Sequence, residues 1–121
     1  MNSGVRRSSS PTQMHNVDVE APKWVAQYES LASSLAGGYD MCIYEYTNDM
    51  SCRELLEQYA DHPLVIRYRE RIEVADETLK AILKPTKRCI HGDYPETHFW
   101  FWKYPPDSPG LEDDLREMGA I

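Results

Sequence analysis

The chain has no long apolar run, and this absence excludes several kinds of protein. No stretch of its 121 residues approaches the roughly 20 consecutive apolar residues that span a bilayer. The N-terminal residues also lack the apolar segment of a secretory signal. We therefore expect a cytoplasmic protein with no membrane partner.

Cysteine is scarce, and the common catalytic motifs are missing. The three cysteines, Cys42, Cys52 and Cys89, form no CxxC pair, and an odd number of them is typical of reduced thiols rather than of a disulfide framework. The sequence contains no Walker loop and no GxGxxG, HExxH or GxSxG motif. It therefore predicts no cofactor and favours a non-enzymatic protein over an enzyme.

Positive charge is in short supply. The chain has 20 acidic residues against 13 lysines and arginines, a formal net charge of −7. Because residues 1–17 contain two arginines and no acid, the remainder holds 20 acids and 11 bases and carries −9. Such a surface repels phosphate backbones, which argues against nucleic-acid binding. It attracts basic partners, so the expected partner is a protein of basic character.

The first residues differ in composition from the rest. Residues 1–19 are predicted to be a disordered tail, because the segment is rich in serine and has too little apolar surface to fold. Residues 20–121 are long enough for one hydrophobic core. We expect this part to be a single α+β domain, with about four helices packed on a small antiparallel sheet of about three strands.

Helix and strand signals alternate along the domain. Trp24, Tyr28 and Leu31 recur at helical spacing, Ser51 and Glu54 have the spacing of a capping box, and Ile72 and Leu79 belong to a longer helical stripe. Alternating and aromatic residues bounded by turn formers indicate strands. The predicted helices lie within residues 21–38, 52–59, 63–84 and 108–119, and the predicted strands within 39–49, 86–92 and 97–104.

The strand predicted at 97–104 is unusually aromatic. Strand alternation would place His98, Trp100, Trp102 and Tyr104 on one face, and Phe99, Phe101 and Lys103 on the other. Phenylalanine has no polar tip, so the Phe face is the natural core face. Trp and Tyr are the residues that lead at interface hot spots. A strand that is apolar on both faces is usually a central strand with packing on each side. If one face instead meets a partner, the predicted protein-interaction residues are Trp100, Trp102 and Tyr104.

A second set of residues has the chemistry of a metal site. On an extended strand Cys89, His91 and Asp93 would project to one side, and His98 could join them from across the following turn. Thiolate, imidazole and carboxylate groups are zinc ligands. The set has no CxxC or HxxxH spacing, which weakens the metal-site interpretation. The alternative is that these residues only form an ordinary turn, where Asp93 is a typical residue.

Two arginines form a candidate anion site. Arg67 and Arg71 are one helical turn apart and could grip a phosphate or carboxylate. Glu70 and Glu73 stand beside them, which favours local ion pairs instead.

These observations lead to two functional hypotheses. The first is a small acidic interaction protein, of the adaptor, inhibitor or toxin-neutralising type, which binds another protein or a second copy of itself through the aromatic strand face. The alternative is a small metal- or ligand-binding protein, or an enzyme, that uses Cys89, His91, Asp93 and His98.

Overall fold

The computed structural model describes residues 16–121, and this part of the chain is mostly helical. Two strands pair antiparallel, with Lys84 opposite Tyr104. The architecture is compatible with an α+β fold, but the predicted third strand is not present among the described residues. The elements are α1 (Val17–Leu35), α2 (Ile43–Gln58), α3 (Pro63–Arg67), α4 (Arg69–Ile82), β1 (Lys84–Pro85), β2 (Lys103–Tyr104) and α5 (Pro109–Glu117).

Helix α1 is the central element, packing against both α2 and α4. Its buried residues follow the helical spacing expected from the sequence, with Trp24, Tyr28 and Leu35 facing the core. The helix begins at Val17, so residues 17–19, assigned to the tail from composition, are helical. The prediction of disorder for residues 1–15 lies outside the described part of the chain.

The segment predicted as a strand at 39–49 requires correction. Helix α2 begins at Ile43 and continues through the short helix predicted at 52–59. Ser51 lies inside this helix, where its hydroxyl donates to the Asn48 carbonyl, so the predicted capping box does not form. The helix is specified by its core face, where Tyr46, Met50, Arg53 and Leu56 recur every three or four positions, and Cys52 is buried beside them.

The long helix predicted at 63–84 is divided into two at Tyr68. The Tyr68 N–H bonds to the Val65 carbonyl in a tighter turn, and α4 starts again at Arg69. The His62 side chain caps α3 by accepting a hydrogen bond from the Leu64 N–H. The predicted core face of the second part is confirmed, since Ile72, Ala75 and Leu79 are buried.

The aromatic segment also departs from its prediction. Phe99–Phe101 form one turn of 3₁₀-helix, and only Lys103–Tyr104 are extended. Residues of a 3₁₀ turn are about 120° apart, so they do not alternate between two faces. Phe99, Trp100 and Phe101 are all buried because core side chains surround this turn.

The strand predicted at 86–92 is an irregular loop. It is held to the aromatic turn by backbone hydrogen bonds, from Thr86 N–H to the Trp102 carbonyl and from Ile90 N–H to the Phe101 carbonyl. The loop therefore follows the aromatic segment without adding a strand to the sheet.

The closing helix agrees with its prediction. Pro109 occupies the first position of α5, and Leu111 and Leu115 are buried. Ser108 is not a side-chain cap, because its buried hydroxyl donates to the Pro105 carbonyl and supports the turn before the helix. Within residues 16–121, no helix combines the length and apolarity needed to cross a bilayer.

The assignment of the α4 core face gives a stability prediction. Leu79 is fully buried, whereas the adjacent Lys80 is exposed. Leu79→Ala should lower the free energy of unfolding by about 2–5 kcal/mol through cavity formation. Lys80→Ala should cost less than about 1 kcal/mol. Urea titrations of both variants test this, and equal losses would show that the helix face is misassigned.

Candidate functional site

The three predicted interaction residues do not form a solvent face. Only 1% of Trp100 is exposed, and Tyr104 is also buried. Trp102 is half-buried and donates its indole N–H to the Tyr94 carbonyl at 2.9 Å. The 3₁₀ turn directs Trp100 into the core, so a partner could reach Trp102 but not the predicted set as a whole.

Trp100 is held by two neighbouring residues of α2. Its indole N–H lies 3.3 Å from Glu54 Oε1, and the Arg53 guanidinium lies 4.2 Å from the centre of its ring. A cation over an indole face is attracted by the ring's quadrupole, and more strongly where water is excluded. Trp100 therefore joins the aromatic segment to α2 and acts as a core residue.

Arg53 is buried and forms an ion pair with the half-buried Asp76, in a cluster that connects three helices. Its Nε lies 2.9 Å from Asp76 Oδ1, and its second terminal nitrogen lies 3.0 Å from Asp76 Oδ2. The Tyr28 hydroxyl of α1 donates to the same carboxylate. Burial and the negative charge of Asp76 raise the pKa of that hydroxyl. Burial alone would lower the pKa of Arg53, but hydrogen bonding and attraction to Asp76 outweigh it and raise the pKa.

This pair gives a second prediction. Arg53→Met should lower the free energy of unfolding by about 3–5 kcal/mol, because it leaves the Asp76 carboxylate without its counter-ion. The double variant Arg53→Met/Asp76→Leu should recover much of that loss, because neither charge remains. Chemical unfolding of both proteins checks this, and a double variant less stable than Arg53→Met would contradict it.

The four predicted metal ligands are not brought together. The Cys89 thiol donates to the backbone carbonyl of His91, and His98 Nδ1 lies 2.9 Å from Glu54 Oε1. Asp93 is exposed in the loop. Within the described range 16–121, no group of three or more His, Cys, Asp or Glu side chains is positioned to hold a metal ion.

Instead, the two histidines of this set, His91 and His98, pack against neighbouring aromatic rings. Tyr94 stacks on His98 at 5.1 Å between ring centres and also packs against Phe101. Gly92 makes this possible, because its φ of +66° disfavours side chains and a Cβ there would lie 2.9 Å from the Tyr94 ring. His91 packs on Phe101 at 4.9 Å and remains exposed.

The candidate anion site is also divided. Arg67 ends α3 and Arg71 lies in α4, on either side of the break at Tyr68. Arg71 is paired with Glu29 of α1, through contacts that include a 2.9 Å hydrogen bond from Nε, and this bond lowers the pKa of that carboxyl group. Ion pairing is thus observed, although Arg71 pairs with another helix rather than with Glu70 or Glu73.

A surface cleft of about 500 Å³ was not anticipated from the sequence. It lies between the first turns of α2, the second half of α5 and the loop at residues 90–91, and we call it the α2–α5 cleft. Asp114 closes one side by accepting a hydrogen bond from the Ile43 N–H at 3.0 Å. Cys42 provides no side-chain cap, so a residue of α5 caps α2. The cleft is lined by Ile43, Tyr44, Thr47, Ile90, His91, Asp114, Glu117 and Met118.

The lining of this cleft combines apolar and acidic groups. Tyr44 is 82% exposed at its edge, while Ile43 and Met118 are half-buried and Ile90 is buried. Asp114 and Glu117 supply two carboxylates, and the described lining includes no lysine or arginine. Sequence reasoning missed it because the cleft requires residues 43–47 to be helical. The available signal was the position of Tyr44, which points away from the helical stripe through Tyr46 and Met50.

The outer face of α4 has a similar composition. Val74 is 67% exposed, and Glu70, Glu73 and Glu77 surround it on a shallow surface. Exposed valine among glutamates differs from the usual polar face of an amphipathic helix. This face and the α2–α5 cleft each combine a large exposed apolar side chain with neighbouring carboxylates.

Comparison with known proteins identifies no relative: no family model, curated protein or solved structure matches the chain.

Cys52 provides a pH prediction. Burial raises the pKa of its thiol from 9.0 to about 11. Because the fold binds this proton more tightly than the unfolded chain does, its contribution to stability is complete below pH 9.0 and is lost as the pH rises toward about 11. The denaturant midpoint should fall between neutral and alkaline pH, and this fall should be larger in the wild type than in Cys52→Ala. Equal falls would contradict a buried neutral thiol.

Proposed function

We propose that the protein is a non-enzymatic interaction protein, of the adaptor, inhibitor or toxin-neutralising kind, whose partner is a basic protein. The charge of the described residues supports a basic partner. Residues 16–121 hold 20 acids and 11 bases. A surface with this imbalance steers positively charged proteins toward it and repels nucleic acids and anionic membranes.

The observation that carries the proposal is the exposure of large apolar side chains among acids. Tyr44 stands beside a cleft that contains Asp114 and Glu117, and Val74 stands among three glutamates. Contiguous apolar surface rimmed by polar groups is typical of protein-interaction sites, and Tyr44 with Ile43 and Met118 in the cleft forms such a surface. The carboxylates around these apolar side chains would orient a basic partner and speed its association.

The metal- or ligand-binding alternative has weaker support. Of its four residues only His91 lines the α2–α5 cleft, and the other three point to separate neighbours or to solvent. A catalytic site would need a nucleophile or base within hydrogen-bond reach of a common substrate position. The free thiols of Cys42, Cys52 and Cys89 support a reducing compartment, and we propose the cytoplasm.

The proposal is tested by salt-dependent capture. When the full chain is immobilised, it should retain a specific basic protein at about 0.05 M salt. It should release much of that protein at about 0.5 M salt, because the higher salt screens exposed charge pairs. Native mass spectrometry of the eluate would establish the stoichiometry. Variants Tyr44→Ser and Val74→Ser should show which apolar surface contributes.

Two results would contradict the proposal. One is a purified protein that captures no partner at either salt concentration. The other is turnover of a small substrate by the isolated chain, which would favour the enzyme hypothesis.

A further inference from the structure

We propose that the α2–α5 cleft is the docking site for the partner, and that it takes a segment in which a lysine or arginine stands next to a large apolar side chain. This inference depends on the proposed function, and it names the surface and the recognised chemistry. It excludes the outer face of α4 as the primary contact.

The volume of the cleft fits one anchoring side chain and its neighbour. About 500 Å³ is within the range of roughly 300–1,000 Å³ typical of ligand sites, but the α4 face offers about 520 Å³, so volume alone does not separate the two surfaces. The α4 face around Val74 is a surface formed by one helix, whereas the α2–α5 cleft has walls from two helices and a loop. A partner side chain would therefore lose more water-exposed surface in the cleft.

The apolar part of the lining specifies the first feature of the occupant. Ile43, Ile90 and Met118 supply aliphatic or thioether surface, and the Tyr44 ring stands exposed above them. Methionine adapts its shape to varied partners, and tyrosine offers a large rigid contact area. A leucine, methionine or aromatic side chain from the partner would be covered by these groups.

The acidic part specifies the second feature. Glu117 is exposed and Asp114 is half-buried at the cleft, and no lysine or arginine among its described lining residues neutralises them there. Asp114 is held in place by its hydrogen bond to the Ile43 N–H. A partner cation placed beside the apolar anchor would pair with these carboxylates in a partly desolvated setting, where the attraction is stronger than in bulk water.

Charge complementarity also decides among the possible occupants. Two copies of this chain meeting through the cleft in a symmetric dimer would place Asp114 and Glu117 near their own equivalents. Like charges in one interface oppose association. Within the same chain, residues 1–15 carry Arg6 and Arg7 and are basic, so the experiment includes a variant that lacks them.

The test uses random peptides displayed on phage, selected against the full chain. We expect the selected peptides to share a lysine or arginine adjacent to a large apolar residue. A synthetic version of the best peptide is then measured by calorimetry against cleft variants Tyr44→Ser and Glu117→Lys. The matched controls are Val74→Ser and Glu73→Lys, which replace an exposed apolar residue by serine and a glutamate by lysine on α4. All four positions are exposed, so the variants should remain folded, as circular dichroism would verify.

The expected result is a loss of affinity of about tenfold or more in each cleft variant and less than about twofold in each control. The proposal is overturned if the controls weaken binding as much as the cleft variants, or if the selected peptides are acidic or lack an apolar anchor. Selection of no binding peptide would also overturn it.

Two further measurements separate the causes of failure. Deleting residues 1–15 should leave peptide affinity unchanged, and a gain of about tenfold would identify that segment as the occupant and overturn the assignment to a partner. If the basic protein captured by the wild type is retained equally by Glu117→Lys, the interaction function stands and the cleft assignment fails. If the wild type captures nothing, the proposed function fails as well.

Discussion

The pair between Arg53 and Asp76 is the interaction on which the arrangement of the helices depends. It connects α2 to α4, and the Tyr28 hydroxyl extends it to α1. The Arg53 guanidinium also lies over the Trp100 ring, so the aromatic turn is aligned by the same side chain. Buried charges are tolerated only when hydrogen bonds and counter-charges offset the loss of hydration. Three helices and one turn must therefore adopt a single relative position to satisfy this cluster.

Local patterns in the sequence predicted those parts of the fold that depend on local spacing. The core faces of α1 and α4 and the start of α5 follow from apolar periodicity and from Pro109. The break at Tyr68 did not follow, because the apolar repeat continues across it. Residues 39–49 were misassigned because their short alternation resembles a strand, whereas the helical period of α2 becomes clear only from Tyr46 onward.

The aromatic segment shows why the candidate sites were harder to predict than the fold. Strand alternation separated Trp100 from Phe101, but both are buried in one 3₁₀ turn. The groups that bury Trp100 are Arg53 and Glu54, more than 40 positions earlier in the chain. No local spacing encodes such contacts. The same holds for the α2–α5 cleft, which brings together Ile43, His91 and Asp114.

The cap on α2 has a consequence for biosynthesis. The Ile43 N–H is satisfied by Asp114, which is 71 positions later in the chain. The ribosome therefore synthesises all the residues of α2 long before it adds Asp114, which caps the helix. Until α5 has emerged from the exit tunnel and docked, the first turn around Tyr44 is uncapped and two walls of the cleft do not face each other. A chain that lacks residues 109–118 would have neither this cap nor one wall of the cleft, so the surface cannot form before α5 is present.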